Sequence, residues 1–172
     1  MAAPLNVALL GSGLFATGTH APLLRQRTDV FCCKAVWSRS EEKAKALAAT
    51  FEGGACDAYA DEEGLAAVLA REDVGAVIIC LPLDVQPEYV IKAFEAGKHV
   101  LSEKPIAATS SAGKAILDLY NTRFKPQGLR WSVAENYRYE GGFVHGAEAA
   151  KEIGYVVLAF CPCHGRLYSH GN

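Results

Sequence analysis

No run of apolar residues in this chain approaches the ~18 that a helix needs to cross a bilayer. A membrane-spanning segment is therefore not expected. The opening MAAPLNVALLGSG has no basic residue ahead of its short apolar run, and it leads straight into a glycine loop. It does not read as a secretory signal. Positive charge is not in excess: 17 Lys and Arg against 19 Asp and Glu leave a formal net charge of −2. Without a basic field, nucleic acid is not an expected partner. There is no repeat of fixed period and no low-complexity tract. A hydrophobic share of 51% with 21% charged residues excludes intrinsic disorder. With 172 residues the chain has the length of about one domain, enough to bury its own core without staples.

The six cysteines, Cys32, Cys33, Cys56, Cys80, Cys161 and Cys163, read as reduced thiols of a soluble, cytoplasmic protein. Four of them lie in or beside strand-like runs and are expected in the core.

What is present is an alternation of strands and helices. Leu5 to Leu10 is a short apolar run ending at glycine, the pattern of a strand buried on both faces. A helix is expected from about Leu14 to Arg25, and a second strand from Phe31 to Trp37. An alanine-rich charged helix from Ser40 to Phe51 follows, with Ser40 as its N-cap. Ala55 to Ala60 predicts a third strand, Asp61 to Leu69 a small helix, and GAVIICL at 75–81 a fourth strand ended by Pro82. Gln86 to Ala96 predicts a helix stopped by Gly97. His99 to Ser102 is a fifth strand, and a helix from Ser110 or Ser111 runs to about Tyr120. Residues 121–128 read as a turn, Arg130 to Ala134 as a sixth strand, Gly142 to Glu152 as a helix and Tyr155 to Phe160 as a last strand. Such βαβ units predict a doubly wound, mostly parallel α/β domain.

GSGLFA at 11–16 has the form G-x-G-x-x-A where a first strand meets a first helix, the place of a dinucleotide-binding fingerprint. Gly11 permits the tight turn, Gly13 lets a pyrophosphate approach the backbone, and Ala16 keeps helix and strand close. The free amides from Gly13 through Leu14 to Phe15 face that anion with the positive end of the helix dipole. An NAD site usually has Asp or Glu at the end of the second strand. Here the residues are Ser38, Arg39 and Ser40, which suit a 2′-phosphate. NADP is thus favoured over NAD, although Glu41 or Glu42 turned inward would restore NAD binding.

Three segments carry a family resemblance: GSGLFATGTHAPLL, EAGKHVLSEKPIA and AENYRYEGGFVHGAEAAKEIG. In that order they resemble the N-terminal domain of the Gfo/Idh/MocA oxidoreductases, the glucose–fructose oxidoreductase and inositol dehydrogenase group. The resemblance implies a Rossmann domain over residues 1–153 and hydride exchange between NAD(P) and a sugar, cyclitol or related alcohol. It places Lys104 beside the nicotinamide as the catalytic residue, where its ammonium would stabilise charge developing on the alcohol oxygen. Glu103 would position it, and Pro105 would fix the turn after the strand. Leu81 and Pro82 would border the adenine ribose. Asn136 and Arg138 match the family's NYR segment near the nicotinamide. Asn136 either holds a carboxamide or substrate, or caps the next helix. His20 matches a family position, or is packing.

Residues 154–172 read as the start of the family's second domain followed by a divergent tail. That domain carries an Asp-x-x-x-His motif whose His is the family's acid/base, and no aspartate follows Asp118 here. The tail CPCHGRLYSHGN offers Cys161, Cys163, His164 and His170 in no standard zinc spacing. It reads as an alternative, truncated end, with no metal site expected. Three functions stand side by side: an oxidoreductase fragment that binds NADP(H) and turns over weakly or not at all, an enzyme whose pocket a partner chain completes, and a non-catalytic module that senses the dinucleotide or pairs with a full-length relative.

Overall fold

The computed structural model describes residues 3–51 and 56–153. The strand expected at 155–160, Cys161, Cys163 and the closing histidines lie outside the described residues. Six strands, β1 (Leu5–Leu10), β2 (Phe31–Ser38), β3 (Asp57–Ala60), β4 (Ala76–Ile79), β5 (His99–Ser102) and β6 (Trp131–Val133), form one sheet in the order β3-β2-β1-β4-β5-β6. Every neighbouring pair is parallel. This is the doubly wound arrangement that the alternation predicts, and its switch point lies between β1 and β4.

The central strands are apolar on both faces because both are covered. Val7, Ala8, Leu9 and Leu10 are all at most 1% exposed. On one side Ala8, Leu10 and Trp37 meet Leu65, Val68, Tyr89, Val90 and Phe94, from α3 (Asp61–Ala70) and α4 (Gln86–Glu95). On the other, Val7, Leu9 and Val36 meet Ala21 and Leu24 of α1 (Ala21–Gln26), and Ala44 and Leu47 of α2 (Glu41–Ala48). Burying one such Leu or Phe stabilises the fold by about 1.5–3 kcal/mol. Ser40 caps α2 as expected, its side chain accepting from the Lys43 amide at 3.3 Å. Gly97 ends the α4 turn at φ +73°.

Two local expectations need correction. The first helix is not uniform: a wider π turn, Ala16–His20, precedes α1. Residues 121–128 are not an open turn. α5 (Ser110–Leu119) runs on as a π segment, Tyr120–Phe124, and a 3₁₀ turn, Lys125–Gln127, before Gly128 reverses the chain at φ +83°. The cause is packing. Tyr120 and Phe124 stack on Phe94 with ring centroids 5.3 and 5.1 Å away, and Trp131 meets Tyr120 edge-on at 5.5 Å. Keeping both aromatics on that cluster holds the backbone in helical turns past Asn121.

The chain divides into two compact units, Met1–Ala134 and Glu135–Asn172. Within the second, a 3₁₀ turn, Asn136–Tyr139, leads into α6 (Gly141–Ile153), and Tyr137 stacks on Phe143 at 5.0 Å. No helix among the described residues is long and apolar enough to cross a membrane.

Candidate functional site

The candidate site lies at the carboxyl ends of β1, β2, β4 and β5. Gly11 leaves β1 at φ +119°, and a Cβ there would stand 2.2 Å from the Cys80 carbonyl oxygen. Only glycine combines that conformation with that approach. Its amide donates to the Trp37 carbonyl at 2.8 Å, and the Cys80 amide donates to Leu10 at 2.8 Å. The loop is thereby tied to β2 and β4 at once. At Gly13 the situation is reversed: a Cβ there would meet no atom within 4 Å, so the backbone faces open space. The next two side chains are unusually exposed for their type, Leu14 at 89% and Phe15 at 50%.

Ser38 ends β2 almost buried. Its hydroxyl oxygen accepts from the Ser12 hydroxyl at 2.6 Å and from the Ser40 amide at 3.4 Å, joining the glycine loop to the second strand. Arg39 is exposed and makes no ion pair among the described residues. Glu41 is turned to Lys45, one helical turn on, at 2.5 Å.

The Glu103 amide extends the ladder by donating to Ile79 at 3.1 Å, and its carboxylate lies 2.7 Å from His20 Nε2. Phe15 meets His20 edge-on at 5.5 Å. The glycine loop, the first helix and the Glu103-Lys104-Pro105 segment are thus connected side chain by side chain. His20 is more than packing here, since it bonds a charged residue. Burial, and then the negative charge of Glu103, push the Cys80 thiol up to about 11. Lys104 and Pro105 are exposed, joined by a cis peptide. Leu81, half-buried, approaches Gly11, and Pro82 beside it is exposed.

Two contributors escape sequence reasoning. Ser12 is one. The other is Gln86, 1% exposed in the first turn of α4. Its Nε2 donates to the carbonyls of Glu103 and Pro105, both at 2.9 Å, and so brackets Lys104 from below. Its Oε1 has no partner among the described residues. A signal was available: Gln86, Tyr89, Val90, Ala93 and Phe94 form one buried stripe at helical spacing, and a polar residue in that stripe needs polar partners.

Asn136 and Arg138 belong to the second unit, in its 3₁₀ turn. The residue before α6 is Glu140, whose carbonyl accepts from Val144 at 3.0 Å, so Asn136 does not cap that helix. Among the described residues no three His, Cys, Asp or Glu gather as metal ligands.

A family model described as an oxidoreductase family with an NAD-binding Rossmann fold, GFO_IDH_MocA, matches residues 5–126. The dehydrogenase FPY6 of Fusarium mangiferae is 37% identical over 161 residues, covering 91% of this chain and 45% of its own length. A dTDP-3,4-didehydro-2,6-dideoxy-alpha-D-glucose 3-reductase of Streptomyces violaceoruber is 45% identical over 105 residues, 61% of this chain and 27% of its own. Among solved structures, the 3-ketoreductase KijD10 of Actinomadura kijaniata in complex with NADP and TDP-benzene superposes with a TM-score of 0.73. The identity there is 25%, over 87% of this chain and 42% of that one. The chain spans less than half the length of these relatives.

Proposed function

This chain belongs to the Gfo/Idh/MocA oxidoreductase family, and from that premise we propose that it is the NADP(H)-binding half of an enzyme acting on a hydroxyl or keto group of a sugar, cyclitol or nucleotide-linked sugar. The supporting observation is the meeting of the glycine loop and the Glu103-Lys104 segment at the sheet's switch point, joined through His20. Open α/β sheets bind ligands there. The sugar-reductase relative and the neighbour crystallised with NADP support the substrate class and the cofactor.

The residues present fit a dinucleotide. Open space over Gly13 leaves room for a diphosphate, held by the amides of Gly13, Leu14 and Phe15. Ser38, Arg39 and Ser40 would hold the 2′-phosphate, with Glu41 committed to Lys45. Leu81 and Pro82 would flank the adenine ribose. The bound cofactor supplies a hydride acceptor or donor. Lys104 Nζ donates a hydrogen bond to the substrate oxygen and stabilises the charge that develops there as the hydroxyl proton leaves. Gln86 holds the backbone on both sides of Lys104, and Glu103, paired with His20, keeps the strand end in place.

Fluorescence titration tests the reading. NADPH should bind more tightly than NADH, and R39A should remove the difference, weakening NADPH about tenfold, or ~1.4 kcal/mol. Equal affinities in the unaltered chain would remove the role of Arg39. Absence of binding by either would remove the reading itself.

A further inference from the structure

Cys33 and Cys56 stand apart from the candidate site, and their sulfurs lie 3.8 Å from each other. Their meeting depends on an irregularity. Along β2 the register with β1 slips between Val7 and Ala8, so that Val7 pairs with Cys33 and Ala8 with Ala35. Lys34 is the extra residue. In regular alternation Val36 would share its face with Lys34 and Cys32. The bulge instead puts Cys33 in the same buried layer as Val36, against which Cys56 and Ala58 also pack. Bulges re-aim side chains in this way, and here the re-aimed side chain is a thiol facing a second thiol just ahead of β3.

The pair is graded in access. Cys33 is 8% exposed, whereas Cys56 is half-buried. Both line a cavity of about 390 Å³ together with Leu24, Thr28 and Phe51, room enough for a small oxidant. A thiolate at Cys56 accepts a hydrogen bond from the Cys33 thiol. That bond holds Cys56 below the usual thiol range and Cys33 above it, with burial acting further on Cys33.

We propose that Cys33 and Cys56 form an oxidation site in which hydrogen peroxide converts the two thiols to a disulfide linking β2 to the start of β3. The Cys56 thiolate attacks the peroxide. An S–O bond forms, the O–O bond breaks, and the departing hydroxide takes the proton given up by Cys56 and leaves as water. Cys33 then attacks the Cys56 sulfenic sulfur. The S–S bond forms, the S–O bond breaks, and the Cys33 proton leaves with that hydroxide as a second water. Two thiols are oxidised and one peroxide is reduced. A thiol of lowered pKa that opens onto a cavity beside a resolving cysteine is the arrangement this chemistry uses.

The test treats the full chain with hydrogen peroxide near equimolar, blocks remaining thiols with iodoacetamide, and maps non-reduced peptides by mass spectrometry. The expected result is a Cys33–Cys56 linked peptide, lost on dithiothreitol treatment and still formed in C32S and C80S. C33A should leave Cys56 as a sulfenic acid that dimedone labels, and C56S should show neither link nor label at that position. Links confined to other pairs, such as Cys161 with Cys163, would overturn the proposal. So would an unlinked Cys56 that advances to sulfinic acid in the unaltered chain.

Discussion

The two ends of the same sheet are built on opposite terms. At the amino end the polar groups satisfy one another. Lys98, 7% exposed, donates to the carbonyls of Arg71 at 2.6 Å and Val74 at 2.8 Å. Arg71 forks onto Asp73 with two bonds of 2.8 Å and reaches Asp57 at 2.5 Å and Tyr59 at 3.3 Å. Asn6 donates to the Asp73 carbonyl at 2.8 Å. At the carboxyl end Leu14, Phe15, Arg39 and Lys104 stand exposed, and Gly13 opens to empty space. Charge that is internally paired serves the fold. Groups held in place by neighbours yet left facing outward are what a ligand completes.

The sharpest way to break this contrast is at Gly11. G11A must relieve a Cβ placed 2.2 Å from the Cys80 oxygen at φ +119°. The strain costs about 1–3 kcal/mol, and displacement of the loop should lower NADPH affinity by more than about tenfold. Thermal unfolding and fluorescence titration read the two effects, and an unaltered affinity would refute the role of the loop. At the other end K98M leaves the carbonyls of Arg71 and Val74, the latter buried, without their ammonium. It should cost about 1–3 kcal/mol in urea unfolding while NADPH affinity stays unchanged. A parallel loss of binding would erase the distinction between the ends.

How much of this was legible beforehand follows from where the physics is local. Strand and helix positions could be read because β1 and β4 are apolar runs ended by Gly11 and Pro82, and because Ser40 and Gly97 are local start and stop signals. The residues around Lys104 came from motif resemblance. What escaped reading depends on contacts distant in sequence. The helical course of 120–127 is set by Phe94, the aim of Cys33 by a register slip against Val7, and the use of Gln86 by carbonyls at 103 and 105. Asn136 illustrates the same limit: its neighbourhood offers a helix to cap, but the chain takes a 3₁₀ turn first and gives the capping position to Glu140.

Gln86 sharpens the comparison further, being a buried polar group at the carboxyl end. Q86L removes two hydrogen bonds, each contributing about 0.5–1.5 kcal/mol, and also removes the unpartnered Oε1, which offsets part of that loss. The expected result is a destabilisation of about 1 kcal/mol with a weakening of NADPH binding smaller than that of G11A. No change in either would show that the segment around Lys104 holds itself.

The smallest effect concerns acid. Arg71, by its hydrogen bonds to Asp73, holds that carboxyl below its ordinary value of 3.8. The unfolded chain therefore binds the proton more readily than the folded one. This contribution is present above the ordinary carboxylate pKa and is lost as pH falls below it. D73N should flatten that part of the stability curve in urea unfolding between neutral and acid pH, and an identical curve would contradict the pairing.

The most direct measurement follows backbone amides by ¹H–¹⁵N NMR while NADPH is titrated into the chain. The account predicts that the amides of Gly13, Leu14 and Phe15 shift progressively and saturate, while those of Arg71, Asp73 and Lys98 hold still. A saturating titration that left those three loop amides unmoved, or that moved only the amino end, would contradict it.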